Sequence, residues 1–174
     1  MHFQGRIYRA LNPIYALEPF SGRGAALYGG RFNPKGVPAL YTSLTIMTTI
    51  REANQAGSLQ PTMIVAYDAD FDTIFDARDE DALEQFGMNM VSLADPGWRD
   101  CMRKESKAPV QRFAKSLIES GHQGLLVRSF ARGSSQTDLN LVLWTWESSR
   151  PARLTLIDDE GRLASPPVAD ASQW

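Results

Sequence analysis

Segment 28–52 carries the side chains whose types and spacing best suit chemistry. Gly29-Gly30 supplies backbone freedom, and Asn33-Pro34 predicts a turn shortly after it. A loop of this composition can be rigid without being regular. It is therefore a suitable mount for Arg31, whose guanidinium is a fixed fork of five donors that matches phosphate oxygens.

Three further polar residues lie at the ends of predicted strands or on a predicted helix: Tyr41, Glu52 and Ser129. All four candidates also have an ordinary structural interpretation. Arg31 can bridge loop carbonyls, and Glu52 can be a solvated surface charge. Tyr41 can be an aromatic at the edge of the core, and Ser129 is a common residue type at a strand end. Residue type alone leaves both interpretations open.

The elements that must position these residues are short strands and two clear helices. Apolar runs predict strands at 6–10, 39–42, 62–67, 124–130, 139–147 and 153–157. In the first strand, Ile7 and Arg9 are expected to face the opposite way from Tyr8.

Capping and periodicity signals predict two helices, one that carries Glu52 and one that packs in the core. Ser43 is the expected N-cap of a helix over 44–56 that Gly57 closes. Its expected apolar stripe is Ile46, Ile50 and Ala53. A second helix follows the helical period clearly from Pro109 to Gly121. Residues 18–30 are predicted as an irregular loop, 81–86 as a short helix, and 95–98 as a break.

The chain of 174 residues is expected to form one compact domain, 1–174, with a core at about 6–163 and a non-core tail at 164–174. Several strands and two helices without strict βαβ alternation indicate the α+β class, with a mixed or antiparallel β core and flanking helices. Trp98, Trp144 and Trp146 are expected in the core. Asn140 is expected to satisfy buried backbone groups.

The net charge indicates which classes of partner are expected, and the cysteine content indicates the cellular compartment. The formal net charge of −2 leaves no basic excess, so direct nucleic-acid binding is not expected. The single cysteine, Cys101, excludes an internal disulfide and favours a reducing cytoplasm. No leader and no apolar run of membrane-spanning length is found, so no membrane association is expected.

Common catalytic signatures are absent. His2 and His122 are unpaired, and neither HExxH nor CxxC occurs, so no metal site is expected. Cys101 has no partner base in sequence, and the glycines fit neither the P-loop nor the dinucleotide fingerprint.

The remaining pattern resembles the RES domain, a family named for its Arg, Glu and Ser. The matching segments are, in order, Arg6-Ile7-Tyr8-Arg9, Gly29-Gly30-Arg31-Phe32-Asn33 with Gly36, Ala39-Leu40-Tyr41-Thr42, Glu52, Trp98, Leu126-Val127-Arg128-Ser129 and Asn140-Leu141-Val142-Leu143. The resemblance spans residues 6–163.

This resemblance implies a fold similar to diphtheria-type ADP-ribosyltransferases, with NAD+ as co-substrate and no metal. RES proteins are toxins of bacterial toxin-antitoxin pairs that hydrolyse NAD+ to nicotinamide and ADP-ribose or transfer ADP-ribose to a protein. The short form here resembles the ParT branch, for which the implied acceptor is the host enzyme phosphoribosyl pyrophosphate synthetase. The implied partner is a DNA-binding, ParS-like antitoxin that occludes the cleft near Arg31 and Glu52.

The resemblance also implies roles for five residues. Glu52 would stabilise an oxocarbenium-like transition state, and Arg31 would hold the diphosphate. Tyr41 would offer a flat face to nicotinamide or its ribose. Ser129 would donate to the ribose or a phosphate, and Arg9 is a second candidate phosphate contact.

Three hypotheses stay open at this point. The first is an ADP-ribosyltransferase that modifies a host protein, and the second is an NAD+ glycohydrolase that depletes cellular NAD+. Both use the same site residues, and the loops 131–138 and 18–24 are candidate docking surfaces for a protein acceptor. The third is a non-catalytic binding module that acts by sequestration.

Overall fold

The computed structural model describes residues 1–54, 60–105 and 108–163. The strands described there are β1 (Phe3–Leu11), β2 (Leu40–Ser43), β3 (Met63–Phe71), β4 (Ile74–Asp76), β5 (Gly124–Arg128), β6 (Leu139–Leu143) and β7 (Ala152–Leu156). The described helices are α1 (Arg23–Tyr28), α2 (Ile46–Ala53), α3 (Glu80–Glu84), α4 (Met90–Ala94), α5 (Trp98–Glu105) and α6 (Pro109–Glu119), with a 3₁₀ turn at Pro13–Tyr15.

The strands form one mixed sheet in the order β4-β5-β6-β2-β1-β3-β7. Neighbours are antiparallel except β4 and β5, which are parallel. The short strand β2 lies in the middle, where Ser43 is opposite Asn140 of β6 and Tyr8 of β1. The predicted α+β class with a mixed or antiparallel sheet is confirmed.

An apolar cluster covers each face of the sheet. Leu125 and Val127 of β5 belong to one cluster and Leu126 to the other, as the two-residue period of a strand requires. The first cluster includes buried side chains from α3 to α6, such as Phe113. The second is built from the strands, with Tyr67 of β3 completely buried. The helices α3 to α6 therefore lie against one face.

Most predicted elements are present with shifted ends. Each of the six predicted strands overlaps an observed strand, and α6 begins at Pro109 as predicted. The prediction of an irregular loop at 18–30 is wrong in part, because α1 lies within it. Strand β4 and helices α4 and α5 were not anticipated. The longest described helix, α6, has 11 residues, and no described helix is long and apolar enough to cross a bilayer.

Helix α2 begins later than predicted. Ser43 is the last residue of β2, and the N-cap is Thr45, whose hydroxyl accepts a hydrogen bond from the backbone N–H of Thr48 at 3.1 Å. Ser43 does not cap the helix because pairing with β6 continues β2 through residue 43 and the Ser43 hydroxyl donates to Asn140 Oδ1. The predicted closing residue Gly57 and the tail 164–174 lie outside the described residues.

The predicted apolar stripe of α2 is wrong. Ile46 is 47% exposed and its neighbour Met47 is 58% exposed, whereas Thr48 and Thr49 are buried. The Thr49 hydroxyl donates to the carbonyl of Thr45 at 2.9 Å, within the helix. The buried face of α2 is thus polar and bound by hydrogen bonds, which hydrophobic periodicity cannot detect.

The tryptophan predictions are confirmed for two of the three residues. Trp98 and Trp144 are buried in the helix-side cluster. Trp144 also donates its indole N–H to the carbonyl of Phe32 at 2.9 Å. Trp146 is only half-buried and packs against the second cluster.

Candidate active site

A cleft of about 600 Å³ opens on the helix-covered face of the sheet. Ala10 of β1, Thr42 of β2 and Val142 of β6 line it, together with residues of α2, of loop 29–32 and of the segment joining α4 to α5. Small-molecule sites commonly enclose roughly 300–1,000 Å³. The cleft therefore has room for a ligand of cofactor size.

The loop before β2 is held by the completely buried side chain of Asn33. Its Nδ2 donates to the carbonyls of Ala25 and Val37, both at 2.8 Å, and its Oδ1 accepts from the Tyr41 hydroxyl at 2.7 Å. One amide thus ties the end of α1, the loop and β2 together. From the sequence, Asn33 was predicted only as a turn residue.

Gln111 of α6 binds the same loop through hydrogen bonds to its backbone carbonyls. Its side chain is completely buried, and its Nε2 donates to the carbonyls of Gly30 at 2.8 Å and Asn33 at 3.1 Å. Its Oε1 accepts from the backbone N–H of Ala108 at 3.1 Å. Every strong hydrogen-bonding group of this amide is engaged, so the loop is fixed relative to α6.

Arg31 lines the cleft with its guanidinium held on one side. Nη1 donates to the carbonyls of Leu93 at 2.8 Å and Asp95 at 3.0 Å. Arg31 therefore does bridge loop carbonyls, as its ordinary structural interpretation predicts. The guanidinium carbon also lies 4.8 Å from the ring centroid of Phe130 and 5.7 Å from that of Trp98. Burial lowers the pKa of Arg31, but an arginine remains protonated at neutral pH. The result is a positioned cation.

Tyr41 anchors the loop and also lines the cleft. Its hydroxyl donates to Asn33 and accepts from the backbone N–H of Phe32 at 2.9 Å. Burial raises the pKa of the Tyr41 phenol, so the ring stays neutral at ordinary pH. The residue is 37% exposed, so part of it remains accessible to a ligand.

Glu52 projects from α2 into the cleft, where two side chains donate to the same carboxylate oxygen. Its Oε1 accepts from the Ser129 hydroxyl and from Asn140 Nδ2, both at 2.5 Å. The Ser43 hydroxyl donates to Asn140 Oδ1 at 2.7 Å, which fixes the orientation of that amide. The expectation that Asn140 satisfies backbone groups is therefore wrong, because its amide serves the Glu52 carboxylate. Ser129 is buried and reaches the cleft through Glu52.

Asp138 ties α2 to the loop before β6. Its Oδ1 accepts from Thr48 Oγ1 at 2.6 Å and Arg51 Nη1 at 2.8 Å, and its Oδ2 accepts from the N–H and hydroxyl of Ser135. The Asp138 carbonyl accepts from the Ser129 N–H at 2.8 Å. These donors, the Thr48 hydroxyl first, lower the pKa of Asp138 to about 2. The helix that carries Glu52 and the strand end that carries Ser129 are thereby joined.

Asp138→Asn is expected to flatten the acid dependence of stability. Because the folded-state pKa lies below the unfolded value of about 4, Asp138 stabilises the fold above pH 4, and this contribution is lost as pH falls toward about 2. Urea unfolding at pH 7, 4 and 2.5 measures it. The variant should be less stable than wild type at pH 7 and should lose less stability between pH 4 and 2.5. Parallel pH profiles would contradict this role.

Arg9 lies away from the cleft. Its neighbour Ala10 lines the cleft, and strand alternation directs Arg9 to the opposite face with Ile7. There its two Nη atoms donate to the carbonyls of Pro19 and Ser21, both at 2.9 Å. The expected phosphate contact is therefore replaced by support of the chain after β1.

His2, Asp70 and Asp72 form the described group whose ligand atoms are close enough together for a metal ion. It lies at the end of β3, and arginines already pair with its carboxylates: Arg153 Nη2 lies 3.2 Å from Asp70 Oδ2, and Arg150 pairs with Asp72. His2 Nε2 lies 2.8 Å from Asp70 Oδ1. The group is accounted for by ion pairing at the end of β3.

Comparisons with known proteins identify the fold. A family model described as the RES domain matches residues 6–165. A solved structure, the crystal structure of the M. tuberculosis MbcT-MbcA toxin-antitoxin complex, is similar with a TM-score of 0.64 and 23% sequence identity, over 91% of this chain and 84% of that chain. A search among curated proteins gave no match.

Proposed function

Because the chain belongs to the RES domain family, we propose that it is the toxin of a type II toxin-antitoxin module and consumes NAD+ in the cytoplasm. The proposed reaction is mono-ADP-ribosylation of a host protein, with NAD+ as co-substrate. The observation that supports it most is the Glu52 carboxylate, held by Ser129 and Asn140 in a cleft that also contains the fixed cation of Arg31.

The chemistry needs few groups. Breaking the bond between nicotinamide and ribose releases a neutral leaving group from a cationic one, so no general acid is required. A developing oxocarbenium ion needs a nearby negative charge in a fixed place. Ser129 and Asn140 restrict the rotation of the Glu52 carboxylate before substrate arrives, so little reorganisation accompanies the reaction.

Arg31 is assigned to the diphosphate. Its Nη1 donates to the carbonyls of Leu93 and Asp95, and no residue that the structure describes binds the edge formed by Nε and Nη2, which can therefore receive an anion. Two parallel N–H groups on that edge suit two phosphate oxygens. The accessible part of Tyr41 lies in the same cleft and is assigned to nicotinamide or its ribose.

The family resemblance supports phosphoribosyl pyrophosphate synthetase as the acceptor, as for the ParT branch, so that modification would block nucleotide synthesis and growth. The alternative is an NAD+ glycohydrolase that depletes cellular NAD+. Water would then capture the oxocarbenium ion in the same site, and no protein acceptor would be needed. An assay for the fate of ADP-ribose separates the two.

The proposed partner is a cognate, ParS-like, DNA-binding antitoxin that occludes the cleft. This is supported by the similarity of fold to a chain in a structure described as a toxin-antitoxin complex. A structure of the pair with Arg31 and Glu52 fully open to solvent would rule out steric occlusion.

The deciding experiment uses NAD+ labelled in its adenylate half, with purified protein alone and with cell lysate. Nicotinamide release with label on one lysate protein supports the transferase and identifies its acceptor. Nicotinamide and free labelled ADP-ribose without lysate support the glycohydrolase. No nicotinamide in either case, from folded protein free of antitoxin, would overturn the NAD+ proposal.

Ser129→Ala is expected to lower kcat for nicotinamide release by about 10–100-fold, because a hydrogen bond to a charged group contributes about 1.5–3 kcal/mol. The variant loses one of the two side-chain donors to Glu52 Oε1 described above. Ser134→Ala is the matched control, since Ser134 contacts the Ser129 hydroxyl at 2.8 Å but has no described contact with Glu52. Equal kcat values for the two variants would contradict the role of Ser129.

A further inference from the structure

A second cation lines the same cleft and was not anticipated from the sequence. Arg99 lies in the first turn of α5, with its guanidinium carbon 4.9 Å from the ring centroid of Trp98. Arg31 approaches the same indole at 5.7 Å. One buried tryptophan therefore contacts two cationic side chains at the cleft.

When no ligand is bound, the positions of these two positive charges lower the stability of the fold. Burial lowers the pKa of Arg31 most, the charge of Glu52 opposes that change, and the charge of Arg99 adds to the lowering. Within residues 1–54, 60–105 and 108–163, neither arginine forms an ion pair with a carboxylate. A cation in the first turn of a helix is also opposed by the helix dipole.

A solvated surface arginine is the ordinary interpretation of Arg99, which is exposed. That interpretation explains neither why Arg99 lines the cleft nor why Arg99 and Arg31 contact the same Trp98 ring. With Arg31, Arg99 and the single carboxylate of Glu52 as its charged residues in the described part of the chain, the cleft carries a net positive charge that favours an anionic ligand. Arg31 offers one edge to a phosphoryl group, and a second phosphoryl group requires another donor set.

We propose that Arg99 binds the second phosphoryl group of a diphosphate, with Trp98 holding Arg31 and Arg99 at one anionic subsite. This inference rests on the proposed function for the identity of the substrate. It makes the cleft selective for a dinucleotide such as NAD+ over nicotinamide mononucleotide, which has the same reacting bond but a single phosphate. Arg99 is thus a specificity-determining residue at a distance from the chemical step.

Arg99→Gln is expected to raise the KM for NAD+ about tenfold, the effect of losing one charge-assisted hydrogen bond. The kcat for NAD+ and the kcat/KM for nicotinamide mononucleotide should stay within about twofold of wild type. Arg99→Lys should recover part of the NAD+ affinity, because the charge returns without the fork. The Tm of Arg99→Gln should stay close to that of wild type, since losing the contact with the Trp98 ring offsets removal of the unfavourable dipole interaction.

Binding of ADP measured by calorimetry tests the subsite without turnover. Arg99→Gln should weaken ADP binding about tenfold. The matched control is Arg103→Gln on the same helix, since Arg103 is exposed, pairs with Asp100 at 3.5 Å and does not line the cleft. Arg103→Gln should bind ADP as wild type does.

The outcomes separate this inference from the proposed function. ADP binding that depends on Arg99, without NAD+ turnover by wild type, supports the subsite and overturns the enzymatic proposal. NAD+ turnover with equal KM values for wild type and Arg99→Gln overturns the subsite alone. Failure of wild type to bind ADP also overturns the subsite, as does an equal loss of kcat/KM for NAD+ and nicotinamide mononucleotide in Arg99→Gln.

Discussion

Glu52→Gln is expected to abolish most of the NAD+-consuming activity while the protein stays folded. The substitution keeps the shape of the side chain and removes the charge that faces the oxocarbenium ion, which should lower kcat on the order of 10²–10³-fold. The two donors to Oε1 make the effect larger than a charge deletion at the surface, since the site around them is built to receive an anion. Nicotinamide release by antitoxin-free protein measures it.

A matched control and a growth assay complete this test. Glu84→Gln removes the same charge from an exposed position on α3 and should leave kcat unchanged. Expression of Glu52→Gln should no longer arrest growth, whereas wild type and Glu84→Gln should. A folded Glu52→Gln protein that still arrests growth would support the non-catalytic binding module instead.

Gly30→Ala is expected to damage both stability and substrate binding. A Cβ at this position would collide with the Tyr41 hydroxyl and lie 2.6 Å from Asn33 Oδ1. Neither group can retreat easily, because they are hydrogen-bonded to each other. Overpacking of this kind costs about 1–3 kcal/mol, which corresponds to a Tm lower by roughly 2–12 °C in a chain of this size. Displacement of the adjacent Arg31 should also raise the KM for NAD+.

Gly24→Ala provides the comparison for Gly30→Ala. Gly24 lies in α1, and a Cβ there would meet nothing within 4 Å. Alanine is the better helix former by about 1 kcal/mol, so this variant should be as stable as wild type or slightly more so. Thermal unfolding of the two variants measures the difference. Equal Tm and KM values for both would show that the loop holding Arg31 adapts freely.

Part of the candidate site could be predicted from local sequence patterns. The glycine-rich loop around Arg31 and the helix carrying Glu52 were predictable, because turn residues and helix signals act over a few positions. Arg9 was predicted as a phosphate contact although the alternation of β1 placed it on the same side as Ile7. The sequence did not show which face of β1 borders the cleft, and the structure places Ala10 there instead.

The residues that support Glu52 could not be predicted in the same way, because their positions depend on the order of strands in the sheet. Local sequence patterns do not contain that order. Asn140 reaches Glu52 across 88 positions, and Ser129 reaches it across 77. Only the β6-β2-β1 arrangement reveals that Ser43 is opposite Asn140. Gln111 and Asp138 are ordinary polar residues in the sequence and acquire their roles through burial. The wrong apolar stripe of α2 has the same cause, since tertiary hydrogen bonds determine which face is buried.

The side chains that orient Glu52 are synthesised late. A ribosome adds about 5–20 residues per second, so Asn140 follows Glu52 by about 4–18 s. Until β6 emerges, β2 lacks one neighbour and the cleft has no floor beside it. The nascent chain therefore exposes the carboxylate before it possesses a site, and the proposed activity begins only after β6 has been synthesised.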